Sequence, residues 1–287
     1  MSRLVTYFGA ILSTIGLLAS CTSSPAFNEL QFIGSHNSYK QAIDPALLGQ
    51  IAASSSALAA SLDYSHPPLN KQLDLGLRKL ELDILDDPIG GLYQTPLGLK
   101  RIASPSFYSS ESMLTPGFKV MHVQDIDFRS HCQLFSQCLA NLRAWSDANP
   151  KHFPIVITIN AKDDPIEQPE FVRPLPFNAD SWNRLDLAIR AALENKLFTP
   201  DDLRGSHSSL YSAIQAGWPS LNTLRGKFIF VLDHSGPKLE TYIEGHTALR
   251  NRAMFVNAME GTPEAAIRIV NDPTEQFDYI QSLVTQG

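Results

Sequence analysis

A chain of 287 residues, of which 44% are hydrophobic and 18% charged, is long enough for one large domain with a full core. The formal net charge of −6 and the lack of any basic run longer than two residues exclude the electrostatic footprint of a nucleic-acid-binding protein. Charge alone gives the chain no attraction to anionic membranes either.

The N-terminal segment predicts export. Residues 1–20 combine Arg3, an apolar stretch and small residues, which is typical of a secretory signal peptide. LASC, ending at Cys21, is similar to a bacterial lipobox, in which the cysteine is lipidated and becomes the new N-terminus; the alternative is an ordinary cleavage site. We therefore expect residues 21–29 to be a tether and the protein to be lipid-anchored. The threonine after Cys21 favours the outer membrane.

From residue 30 onward, strand-like segments alternate with helical patterns. This alternation indicates parallel strands, and we expect an α/β fold, a TIM-type (β/α) barrel over residues 30–287. Seven strands are readable, whereas a closed barrel has eight. We expect either that the eighth is missing at the C-terminus because the chain is truncated, or that the barrel closes differently. The predicted strands are 30–34, 79–84, 118–123, 154–160, 227–233, 253–257 and 266–271, and the predicted helices are 45–61, 69–76, 133–149, 180–195, 209–215, 239–250 and 273–286.

The turn-rich stretch 86–117 joins the second and third strands. It either covers the mouth of the barrel, where substrates bind, or is a surface insertion.

Cys132 and Cys138 remain once Cys21 is assigned to lipidation. In an oxidising compartment we expect them to form a disulfide, although two buried thiols are an alternative. No second cysteine pair is present to complete a zinc site.

The first polar cluster follows the first predicted strand, in GSHNSY. His36 and Asn37 are adjacent, so in a strand their side chains would point to opposite faces and each would need its own partner. A catalytic or ligand-binding role therefore explains His36 and Asn37 better than burial in the core.

A pair of carboxylates comes from the second strand, RKLELDIL. Alternation places Glu81 and Asp83 on one face, opposite the leucines. Two carboxylates held close together recruit a cation, and with an oxygen from Asn37 they favour Ca²⁺, or less readily Mg²⁺. The alternative is that Arg78 or Lys79 neutralises them.

The third strand ends in FKVMHVQD, which places His122 level with His36. Two histidines flanking a phosphate are suited to general base and general acid catalysis near neutral pH. Lys162, after the fourth strand, is a candidate for binding a phosphate or a sugar hydroxyl, or else a partner of the adjacent aspartates. Asp233, at the end of the fifth strand, is a second candidate for substrate binding.

Taken together, these segments resemble those of the calcium-dependent bacterial phosphoinositide-specific phospholipases C. The resemblance runs from about residue 30 to the end. It is carried by FIGSHNSY, YSHPPLNKQLDLGLRKLELDI, PGFKVMHVQDIDF, CLANLRAWSDANPKHFPIVI and LRGKFIFVLD.

The resemblance implies a role for each histidine. His36 would be the general base that takes the proton of the inositol 2-hydroxyl, and His122 the general acid that protonates the departing diacylglycerol oxygen. The implied products are a cyclic inositol phosphate and diacylglycerol.

The resemblance also implies calcium ligands, namely Asn37, Glu81 and Asp83. Metal-independent relatives carry an arginine at the position of Asp83, so the acid argues for calcium. Asn160 stands where relatives supply a further carboxylate on the fourth strand.

Two alternatives stay open. Glycerophosphodiester phosphodiesterases use a similar set of residues, but their HRG motif is not present here. A surface lipoprotein that keeps the barrel only for binding is the second alternative.

Overall fold

The computed structural model describes residues 24–102 and 110–286. The predicted signal peptide and the lipidation site Cys21 lie outside these residues. Within the described ranges, no helix is long and apolar enough to cross a bilayer.

One sheet of five strands forms the centre of the described structure, in the order β2-β1-β3-β4-β5. Strands β1, β3, β4 and β5 are parallel, and β2 is antiparallel to β1. The apolar runs of β3 and β4 are typical of parallel strands that are covered on both faces. The strands are β1 Lys79–Leu85, β2 Lys119–Val120, β3 Ile155–Ala161, β4 Phe228–Leu232 and β5 Phe255–Val256.

The α/β class is confirmed, but two predicted strands are wrong. Segments 30–34 and 266–271 each form a single parallel bridge, Gly34 with Lys79 and Asn257 with Ile267. The first segment is apolar but lies largely at the surface, where Ile33 is 77% exposed, so it is not packed as a sheet strand. In the described part of the chain, no ladder joins the β2 edge to the β5 edge.

The predicted third strand, 118–123, is shorter than expected and runs in the opposite direction. A tight turn follows it, in which Val123 N donates to Asp127 O (3.1 Å) and Asp127 N donates back to Val123 O (2.9 Å). Because the chain reverses there, only Lys119–Val120 pairs with β1.

The predicted helices are present with shifted ends. The first is split at Ser55, which has an extended backbone. Its side chain caps the second part by accepting from Leu58 N. The helices are α1 Pro45–Ser54, α2 Ser56–Leu62, α3 Leu69–Asp74, α4 Leu97–Arg101, α5 Ser110–Leu114, α6 Phe135–Ala148, α7 Ala179–Leu193, α8 Pro200–Arg204, α9 Leu210–Ala216, α10 Leu221–Leu224, α11 Pro237–Ile243 and α12 Phe277–Gln286. Helices α4 and α5 lie within the turn-rich stretch 86–117.

The main core fixes the direction of the β1 side chains. Leu80, Leu82 and Ile84 are fully buried in the cluster that the strands form with α3, α6 and α7. The alternation of the strand therefore turns Glu81 and Asp83 to the opposite face, as the sequence predicts.

The segment expected to be a tether makes main-chain contacts with the fold. Phe27 N donates to Pro219 O (3.0 Å), and Leu221 N donates to Pro25 O (2.8 Å). These bonds hold residues 25–27 beside the start of α10.

The predicted disulfide joins Cys132 to Cys138 at the start of α6, with a Cα–Cα distance of 5.2 Å. We expect the double variant Cys132→Ser/Cys138→Ser to lose about 2 kcal/mol of unfolding free energy, because the bridge closes a short loop. Thermal denaturation should show a Tm lower by about 5 °C. A reducing agent should lower the Tm of the wild type but not of the variant, and equal Tm values for the two proteins would contradict the prediction.

Candidate active site

The loop that carries His36 is bonded to β1 through its main chain. Ser38 N donates to Glu81 O (3.0 Å), and the Ser38 hydroxyl accepts from Glu81 N (2.8 Å). Asn37 takes a left-handed backbone (φ 49°), which asparagine tolerates better than most residues. These bonds place His36 beside Glu81 of β1 without a regular strand.

The imidazole of His36 faces Glu81. Its Nε2 atom lies 3.4 Å from Glu81 Oε1, and the side chain is 70% exposed. Partial burial lowers the pKa of His36, and the charge of Glu81 opposes this shift. The ring is therefore neutral at pH 7 and accessible to a substrate, as a general base must be.

Asp83 is a buried carboxylate whose two oxygens have no partner of regular hydrogen-bond geometry among the described residues. The Tyr39 hydroxyl is close enough to lower its pKa, and Lys162 Nζ lies 3.6 Å away. Burial raises the pKa of Asp83 to about 6, although Lys162 opposes the shift. An unsatisfied carboxylate of this kind is suited to holding a cation.

The other predicted metal ligands lie around Asp83. Asn160 is its register partner on β3, and Glu81 precedes it on the same face of β1. Asn37 donates through its amide nitrogen to the Tyr64 hydroxyl (2.6 Å). The donor set consists of two carboxylates and two amides, which suits a hard ion such as Ca²⁺.

Each carboxylate of the acid pair has a lysine within salt-bridge distance. Lys79 Nζ lies 2.9 Å from Glu81 Oε2, so the salt bridge considered as an alternative for Lys79 is present. Over residues 24–102 and 110–286, no group of three or more His, Cys, Asp or Glu side chains is arranged to hold a metal. A metal site here would need ligands of other kinds beside Glu81 and Asp83, such as the amide oxygens of Asn37 and Asn160.

His122 has a partner that sequence analysis missed. Its Nδ1 atom lies 2.8 Å from Asp127 Oδ2, and the Asp127 side chain is fully buried. The tight turn after β2 brings the two residues together. Asp127 follows His122 in the quoted segment HVQDIDF, but its contact with His122 depends on the turn and could not be predicted from the sequence pattern.

The two histidines and the acid pair belong to one cluster. The charge of His122 lowers the pKa of both His36 and Asp83, and the charge of Glu81 acts on the same two groups. These charges act on one another through space within one site.

Lys162 and Asp233 lie in different parts of the site. Lys162 contacts Asp83, whereas its neighbours Asp163 and Asp164 pair with Lys238 instead. Asp233 lines a polar cavity of about 630 Å³ together with Asp163, Asp164, His234, Lys238, Asn257 and Asn271, among others. Burial raises the pKa of Asp233, and the charge of Glu81 adds to the shift.

The chain was compared with known proteins. The profile of the family described as "Phosphoinositide phospholipase C, Ca²⁺-dependent" matches residues 26–287. No curated protein sequence matches significantly.

The comparison with solved structures found bacterial phospholipases C. A calcium-dependent phosphoinositol-specific phospholipase C from Pseudomonas sp. is 23% identical, with a TM-score of 0.50 over 82% of this chain and 66% of that one. A Ca²⁺-dependent phosphatidylinositol-specific phospholipase C from Streptomyces antibioticus is 22% identical, with a TM-score of 0.48 over 78% of this chain and 64% of that one. This chain thus spans slightly less than two thirds of the length of either structure.

The family match covers nearly all of the described residues and includes both histidines, Glu81 and Asp83. The chain therefore belongs to the family of Ca²⁺-dependent phosphoinositide phospholipases C.

Proposed function

We propose that this protein cleaves phosphatidylinositol, in a calcium-dependent reaction, to diacylglycerol and a cyclic inositol phosphate. The observation that carries the proposal is the cluster on β1, where His36 contacts Glu81 at 3.4 Å near a second histidine, and where the buried carboxylate of Asp83 has no regular hydrogen bond and lies 3.6 Å from Lys162 Nζ.

His36 acts as the general base. It takes the proton of the inositol 2-hydroxyl as that oxygen forms its bond to phosphorus. The lowered pKa of His36 keeps its ring neutral and ready to accept this proton. Glu81 stabilises the ring once it is charged.

His122 acts as the general acid. Its Nδ1–H donates to Asp127, so Nε2 is the atom that gives a proton to the leaving oxygen as the bond from phosphorus to diacylglycerol breaks. The proton taken by His36 and the proton given by His122 balance in the transfer. Water exchange returns both rings to their starting states.

Asn37, Glu81, Asp83 and Asn160 are the residues that would hold the calcium ion. When bound, the ion supplies positive charge near the reacting phosphate. Without it, Lys162 and Lys79 are the cations next to the two carboxylates.

The inositol ring is accommodated by the cavity that Asp233 lines, where carboxylate and amide groups match a polyol. Lys162 completes the site on the phosphate side. Export and lipidation of Cys21 would place the enzyme at a bacterial membrane, where lipid substrates are presented.

The test is hydrolysis of phosphatidylinositol vesicles by the mature chain, with Ca²⁺ or with a chelator. We expect cyclic inositol phosphate, identified by phosphorus NMR, only with Ca²⁺. Glycerophosphocholine is the comparison substrate, and its preferential cleavage would assign the protein to glycerophosphodiester chemistry instead. Tight binding of phosphatidylinositol without product would indicate a non-catalytic lipoprotein.

A further inference from the structure

Lys40 is a fully buried lysine beneath the loop that carries His36. Its ammonium donates to Leu62 O (3.0 Å) and Tyr64 O (2.8 Å), and it lies 4.5 Å from the centroid of the Tyr64 ring. A buried ammonium is costly unless it is paired and hydrogen-bonded, so these contacts define one position for it.

On one side, Lys40 contacts the acid that holds His122. Its Nζ atom lies 3.3 Å from Asp127 Oδ1, and the other oxygen of Asp127 is the partner of His122 Nδ1. The ammonium and the carboxylate are both fully buried, so solvent screens their attraction little. Asp127 Oδ1 has no hydrogen-bond partner among the described residues, so Lys40 acts on it as an ion-pair partner. The ammonium thus attracts the carboxylate that holds the His122 ring.

On the other side, Lys40 holds the segment that packs beside His36. The Tyr64 hydroxyl accepts from Asn37 Nδ2 (2.6 Å) and lies 3.5 Å from His36 Nδ1. His66 N donates to Lys40 O (3.0 Å), and the His66 ring contacts His36 O (2.8 Å). The main chain and the side chain of Lys40 thus both secure this segment.

We propose that Lys40 is a positioning residue shared by the two histidines, with its ammonium fixing Asp127 against His122 and the Tyr64 main chain beside His36. The inference rests on the catalytic roles proposed above. A buried ion pair often contributes specificity of arrangement more than stability, and small displacements of reacting groups are costly in rate.

The first test is Lys40→Met. We expect kcat on phosphatidylinositol to fall about 100-fold with little change in KM, since only the positions of the reacting groups are disturbed. In the folded variant without substrate, the imidazole nitrogen chemical shifts of His36 and His122 should both move.

Lys119→Met is the matched control. Lys119 is equally buried and is paired with buried Asp87 at 3.2 Å. This variant should lose stability comparably while the nitrogen shifts of both histidines stay close to those of the wild type. Movement of these shifts equally large in both variants would overturn the inference, because any buried charge would then have the same effect.

If Lys40→Met does not fold, the charge-balanced variant Lys40→Met/Asp127→Asn replaces it, because it leaves no unpaired buried charge. The double variant is compared with the single variant Asp127→Asn. Relative to that single variant, the added Lys40→Met change should still move the imidazole nitrogen shifts of His36, because Lys40 also holds the Tyr64 segment. Unchanged His36 signals would overturn the proposal. The NMR measurements need no turnover, so they test Lys40 even if the wild type does not cleave phosphatidylinositol.

Discussion

Replacing either histidine of the cluster should abolish most of the phosphodiesterase activity. We expect His36→Ala and His122→Ala each to lower kcat with phosphatidylinositol by about 10²–10⁴-fold, the usual contribution of a positioned acid or base. The measurement is initial rate against substrate concentration with saturating Ca²⁺. Because neither side chain is part of the core, the Tm of both variants should stay near that of the wild type.

The leaving group distinguishes the two roles. Nitrophenolate departs without a proton, so an inositol nitrophenyl phosphate does not need a general acid. His122→Ala should recover most of its activity on this substrate, whereas His36→Ala should stay inactive because the attacking hydroxyl must still lose its proton.

The matched control is His207→Ala, since His207 is an exposed histidine after α8. It should keep the wild-type rate on both substrates. Similar losses in all three variants, or recovery of His36→Ala on the activated substrate, would contradict the assigned roles.

Asp83→Asn should remove the response to calcium and at the same time stabilise the calcium-free protein. In the wild type, Ca²⁺ at 100 times its Kd should raise the unfolding free energy by about 2.7 kcal/mol if it binds only the folded chain. The variant should lose this increase and lose Ca²⁺-dependent cleavage, because an amide is a weaker ligand than a carboxylate. Urea denaturation with Ca²⁺ and with chelator measures the difference.

The pH dependence follows from the raised pKa of Asp83, which is about 6 compared with an ordinary 3.8. Between these values the folded chain holds a proton that the unfolded chain has released, so the stability contributed by this group falls as pH rises through the window. Above pH 6 the penalty is complete, at roughly 3 kcal/mol. In chelator, Asp83→Asn should therefore be more stable than the wild type above pH 6, and this advantage should vanish below about pH 4.

Asp233→Asn is the control for the calcium response. Burial raises the pKa of Asp233 as well, but this residue lies in the neighbouring cavity. The variant should keep the stabilisation by Ca²⁺. A calcium response that survives in Asp83→Asn, or is lost equally in both variants, would refute the ligand assignment.

Local patterns in the sequence were sufficient for several features. The alternation in KLELDIL determined that Glu81 and Asp83 share a face, because successive side chains of any strand point in opposite directions. The six-residue separation of Cys132 and Cys138, together with the predicted signal peptide, indicated the disulfide that the structure contains. The motifs around His36 and His122 were enough to identify the family, which the profile match confirms.

Other features depended on contacts that no local pattern encodes. Segment 30–34 has the composition of a strand, yet its exposure left it with a single bridge, because strand propensity depends on packing. The antiparallel pairing of β2 with β1 likewise depended on tertiary contacts.

The partners of the histidines show most clearly what only the tertiary structure decided. Tyr64 meets His36 across 28 residues of sequence, and Lys40 meets Asp127 from another part of the chain. Periodicity determines which way a side chain points, but it carries no information on which distant segment will meet it. Lys40 and Asp127 illustrate this, because a buried ammonium and a buried carboxylate are stable in the interior only when the folded chain brings them together.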